Sequence, residues 1–144
     1  MTIQQLSAFC ESFAGVSCDY PFGSQPRCCR IGGKIFAEIY PEGVPGALAI
    51  LSGNQSFPRE AVVPMATLRC EPLQGDFYKQ QFPRSVFRPY HCPPAQQPYA
   101  LTVLLNGGVP DQVLKEMARH AYETILKKIP LKKQREIFRE TSGQ

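Results

Sequence analysis

Apolar residues at Ile3, Leu6, Phe9, Cys10 and Phe13 recur every three or four positions. That is the repeat of a helix with one buried stripe, and it predicts a first helix over 2–13. Thr2 followed by Gln5 has the spacing of a capping box, and Gly15 supplies the residue type that ends helices in the left-handed conformation. The period then changes to two. Ile35, Ala37 and Ile39 alternate with Phe36, Glu38 and Tyr40, so 27–31 and 34–40 read as strands joined at Gly32-Gly33, a pair suited to a tight hairpin. Both faces of the second strand carry large apolar groups, so alternation alone does not say which face packs on the helices.

Further along, Met65–Cys70 reads as a strand. Pro72 suits the first turn of a short helix reaching about Phe82, a helix that Gly75 weakens. Val86–His91 and Tyr99–Leu105 are strand candidates around the loop "CPPAQQP", and Asn106-Gly107-Gly108 is a turn. Pro110 opens the longest helix, to about Lys128, with Met117, Ala121, Ile125 and Leu126 on its apolar stripe beside Val113 or Leu114. A basic helix over 131–140 follows Pro130. Residues 41–64, rich in Pro and Gly, read as an irregular excursion outside the common sheet that tolerates shortening, with "ALAIL" (47–51) an extra strand or a short plug. Short connections between strands imply antiparallel neighbours. The fold class is therefore α+β, a single antiparallel sheet backed by helices on one face, in one domain over 1–144 with an insertion at about 41–64.

Composition narrows the classes. The chain has 144 residues, 43% of them apolar and 19% charged, as expected of a globular domain large enough to build its own core. The net charge of +4 permits an acidic partner without demanding one. None of the six cysteines forms a C-x-x-C pair, which removes the main support for a zinc ribbon or a thioredoxin-like motif. No signal-like start and no apolar run of bilayer length are present. The expectation is a cytoplasmic protein with reduced thiols, no metal, no cofactor and no membrane partner.

Several segments together resemble one family. "FAGVSCDYPFG" (13–23), "CRIGGKIFAEI" (29–39), "TLRCEP" (67–72), "FPRSVFRPYH" (82–91) and "VPDQVLKEMARHAYETILKKIPLKK" (109–133) resemble, in order, the MmcQ/YjbR-like family of small bacterial proteins. The resemblance implies a CyaY-like, or frataxin-like, α+β sandwich. It also implies DNA binding through a double wing of hairpins. Two departures stand out. The connection at 41–64 is longer than usual. The region "PPAQQPYALTV" lacks the Lys and the His-Trp pair that relatives often carry there.

The residues offer little catalytic chemistry. The two histidines, His91 and His120, fall in no Ser-His-Asp order, H-E-x-x-H or G-x-S-x-G motif. His91 reads as a structural residue at the sheet edge and His120 as a solvated or partly buried helix residue. Cys28 and Cys29, being adjacent, should face opposite sides of their strand, so a metal cluster with Cys70 and His91 is disfavoured. Frataxin-type iron binding would need a carboxylate-rich first helix, and this one carries only Glu11. The basic residues remain. Arg30 and Lys34 flank the hairpin turn, while Arg84 and Arg88 alternate with Phe87 and Tyr90. The expectation is a non-enzymatic protein that binds double-stranded DNA weakly and without sequence preference, with phosphate contacts from Arg30, Lys34, Arg84 and Arg88. The alternative is a protein-interaction module using the sheet face or the 41–64 loop.

Overall fold

The capping box at Thr2 is formed. The Gln5 backbone N–H donates to Thr2 Oγ1 at 3.1 Å and the Thr2 N–H donates to Gln5 Oε1 at 2.8 Å. Helix α1 then runs over Ile3–Glu11. The computed structural model describes residues 1–142; residues 143 and 144 of the expected 1–144 unit lie outside the described residues. The strands are β1 (Ser17–Asp19), β2 (Arg27–Ile31), β3 (Lys34–Tyr40), β4 (Met65–Arg69), β5 (Val86–Phe87) and β6 (Ala100–Leu104). They form one six-stranded sheet in the order β1-β2-β3-β4-β6-β5, with every pair antiparallel. The remaining helices are α2 (Ala47–Ser52), α3 (Pro72–Gln81), α4 (Asp111–Leu126) and α5 (Leu131–Ser142).

A bulge settles which face of β3 meets the helices. Cys29 pairs with Ala37, but the next residue, Arg30, pairs with Ile35, leaving Phe36 without a partner. A bulge of this kind turns two successive side chains to one side. Phe36 and Ala37 therefore both enter the core under the helices, with Ile39. Phe36 meets the Phe13 and Tyr122 rings edge-on at 6.3 and 5.6 Å, and Tyr122 stacks on Phe13 at 4.7 Å. The Tyr122 hydroxyl donates to the Ala14 carbonyl at 2.7 Å, tying α4 to the chain leaving α1. Gly32 and Gly33 take positive φ values of 58° and 81°, the turn that their sequence predicted.

The helical layer of α1 and α4 lies on one face, as expected, but the other face is not bare. Tyr40, Met65 and Leu104 lie opposite one another on β3, β4 and β6. Ala47 and Leu51 of α2 cover them, forming a second, smaller core. "ALAIL" is thus not a strand: it forms a short helix that buries part of the sheet. The strand expected over Val86–His91 stops at Phe87. Pro89 has no N–H to give, and the Tyr90 N–H donates to Thr102 Oγ1 at 2.9 Å instead of to a ladder carbonyl. The "CPPAQQP" loop ends in a 3₁₀ turn over Pro94–Tyr99, so β6 begins at Ala100.

Candidate nucleic-acid interface

Antiparallel pairing carries the β2–β3 hairpin tip to the same end of the sheet as Arg69, the last residue of β4, and Ala100, its partner on β6. Lys34, Arg69 and Lys128, with Gln96, Tyr99 and Thr124, line a concavity of about 240 Å³ there. Lys128 Nζ lies 6.0 Å from the centroid of the half-exposed Tyr99 ring. Among the described residues none of these three cations forms an ion pair with a carboxylate. Neighbouring Lys127, by contrast, pairs with Glu71 at 3.6 Å.

The four expected contact residues separate. Arg30 is held within the hairpin, its Nε donating to Asp19 at 3.0 Å and its Nη1 to the Gly33 carbonyl at 3.3 Å. Lys34 is exposed beside it. Arg84 and Arg88 flank β5 on the far edge, with β4 and β6 between that strand and β3. Arg88 donates to the Ile50 carbonyl of α2 at 3.3 Å. No single strip joins the two pairs. Arg69 falls within the strand that the sequence predicts over Met65–Cys70. Its meeting with Lys128 depends on how α4 lies across the sheet, which no local pattern reports, and a lysine ending a helix has a purely structural reason to be there.

The other titratable groups are mostly structural. His120 Nε2 accepts the Glu71 N–H at 3.0 Å at the start of α3, and burial pushes its pKa down. The ring thus serves as a neutral acceptor. His91 is exposed, lies beyond the strand it was expected to end, and takes a positive φ of 51° with its ring 4.0 Å from that of Tyr90. Glu38 is half-buried on the face opposite α1 and α4. Burial raises its pKa, opposed by the charge of Arg69 and a hydrogen bond from Tyr40. All six cysteines are free thiols. Cys29 lies on the helical side with Cys10, and Cys28 on the other with Glu38. Burial pushes Cys28 and Cys70 up to about 11, well above the range of a reactive thiolate. Among the described residues no group of three or more His, Cys, Asp or Glu side chains is placed to hold a metal ion. No described helix is long and apolar enough to cross a membrane.

The frame is therefore an α+β domain built on one antiparallel sheet, with a cationic concavity at one end. The chain belongs to the YjbR family, whose model matches residues 11–124. Its fold is similar to that of Deinococcus radiodurans protein DR2400, described as carrying a DUF419 domain. That match has a TM-score of 0.72 and 20% identity, covering 94% of this chain and 87% of the other. A protein from Pseudomonas syringae is also similar, with a TM-score of 0.65 and 16% identity, over 84% of this chain and 96% of that one. At these identities the likeness concerns the fold alone. No curated protein matches.

Proposed function

We propose that this chain is a non-enzymatic nucleic-acid-binding module that grips the phosphate backbone of duplex DNA with the hairpin end of its sheet. The observation that carries the reading is the set of three cations, Lys34, Arg69 and Lys128, none of them in a salt bridge among the described residues, around one concavity beside the exposed ring of Tyr99. Phosphate contacts carry no sequence information directly, so binding through them is weak and nearly independent of sequence. Free thiols and a DNA partner both suit a reducing, cytoplasmic compartment.

Fluorescence anisotropy with duplex DNA at several salt concentrations tests this. The expected dissociation constant is about 10⁻⁴–10⁻⁶ M, rising steeply with salt. Replacing Lys34 and Lys128 with Ala should reduce the log–log salt slope by about 2, and replacing Arg84 and Arg88 should leave it unchanged. Absence of saturable binding at low salt, or equal losses from both pairs, would overturn the reading. A second reading, a protein-interaction module, is favoured by Leu73 and Phe77. They are 85% and 54% exposed and one turn apart on α3, away from the sheet face and loop first expected to carry it.

A further inference from the structure

The segment 41–64 does more than cover the sheet. Between α2, the loop after it and the β5–β6 edge lies a concavity of about 420 Å³, within the range of small-molecule sites. Its floor is Leu104 of β6 and Phe87 of β5. Leu48 and Leu51 form the α2 wall, and Phe57 and Val63 come from the rest of the segment. The polar rim is largely occupied with itself. Ser52 Oγ donates to the Leu48 carbonyl at 2.6 Å. Asn54 Oδ1 accepts from the Ser56 N–H and hydroxyl. Asn106 accepts from Ser85 at 2.9 Å and donates to the Arg84 backbone carbonyl at 3.4 Å.

Arg84 differs from the rest of the rim. Among the described residues it is the one charged residue lining the concavity. Among the described residues its guanidinium has no carboxylate partner and makes no hydrogen bond, whereas Arg88 nearby is held by α2. A guanidinium presents a planar fork of donors that matches a carboxylate with two parallel bonds. An apolar hollow with a single uncommitted fork at its rim complements a molecule with an apolar body and one anionic end.

We infer that the concavity between α2 and the β5–β6 edge binds a small amphipathic carboxylate, its chain or ring against Leu51, Phe87 and Leu104 and its carboxylate on Arg84. The site lies at the opposite end of β6 from the cationic concavity and does not depend on DNA binding. It also gives the long 41–64 segment a role that a tight connection between β3 and β4 could not fill.

Octanoate is a suitable probe, with octylammonium and acetate as controls, titrated into the full chain and followed by amide chemical-shift changes. Octanoate should bind saturably, with a dissociation constant of about 1 mM or lower for a ligand of this size. Shifts should centre on α2, Phe87 and Leu104. Acetate, lacking the chain, should bind far more weakly. Arg84→Ala, at an exposed position, should weaken octanoate about tenfold, the order expected when a charged hydrogen bond is lost. Arg84→Glu should invert the preference toward octylammonium, and Phe57→Ser should weaken binding of both chains. If octanoate and octylammonium bind the native chain equally, the hollow is only an apolar surface and the inference fails. It fails too if octanoate does not saturate, or if its shifts map to the Lys34–Lys128 end.

Discussion

Gly75 provides the sharpest test of the packing. It sits inside α3, and replacing a helix-interior glycine with alanine ordinarily stabilises by about 0.8–1.0 kcal/mol. Here an added Cβ would lie 2.7 Å from Cys70 Sγ, with Cys70 Cβ at 3.9 Å. Cys70 is 1% exposed and belongs to the main core, so its sulfur has little room to yield. Forcing extra volume into a packed core costs about 1–3 kcal/mol, which exceeds or cancels the helix gain. Gly75→Ala should therefore destabilise the chain by about 0–2 kcal/mol, the difference of those two ranges. In a Cys70→Ala background the sulfur is gone and the remaining Cβ stands at ordinary contact distance. The same substitution should there stabilise by about 1 kcal/mol. The coupling between the two sites is then about 1–3 kcal/mol, within reach of a double-mutant cycle of urea denaturations. Stabilisation by Gly75→Ala in both backgrounds would refute the contact with Cys70. Equal destabilisation in both would mean that the glycine is required for some reason other than the sulfur.

Two further outcomes follow from the second face of the sheet. Leu51→Ala should cost about 2 kcal/mol or more, because Leu51 is 8% exposed and covers Met65 and Leu104; a loss below about 0.5 kcal/mol in urea, the scale of an ordinary surface change, would show that α2 is peripheral. Glu38 reports on pH. Its folded pKa is raised, chiefly by burial, so its contribution to stability is fully present below the usual carboxylate range near 4.3 and is lost as pH rises through the raised value. Glu38→Gln should accordingly be more stable than the native chain at pH 7, with the gap closing at about pH 4 and below. A less stable variant at pH 7 would mean that the attraction of Arg69 outweighs burial.

Most elements were legible because their signals are local. The Thr2–Gln5 cap, the Gly32-Gly33 turn and the apolar stripe of α4 each lie within one element, and each forms as its spacing predicts. The order of short strands gave the antiparallel sheet for the same reason. What stayed hidden depends on partners distant in sequence. The bulge that sends Phe36 and Ala37 to one side exists only in the pairing of β3 with β2. "ALAIL" is equally apolar read as a strand or a plug, and only the row of Tyr40, Met65 and Leu104 across three strands of the sheet gives its helix a surface to cover. β5 ends early because Thr102, on another strand, captures the Tyr90 N–H. Arg30, Lys34, Arg84 and Arg88 were visible as cations, but the topology that divides them was not.

That division has a structural cause in β6. The strand is buried along its whole length. It is fixed at its centre by a hydrogen bond of 2.8 Å between the Thr67 and Thr102 hydroxyls, while Thr102 also accepts from Tyr90. Tyr99, just before it, belongs to the cationic concavity, and Leu104, at its end, forms the floor of the apolar one. Five residue steps of about 3.4 Å put these two places about 17 Å apart along the strand, beyond the separation at which side chains couple directly. The strand between them is a packed strut, buried from Ala100 to Leu104. An extended DNA surface crossing the whole face would also have to pass over α2, which stands on that face above Met65 and Leu104. Arg84 and Arg88 thus lie beside α2 and the hollow next to it rather than with the hairpin, and the four cations first grouped together fall in two separate places.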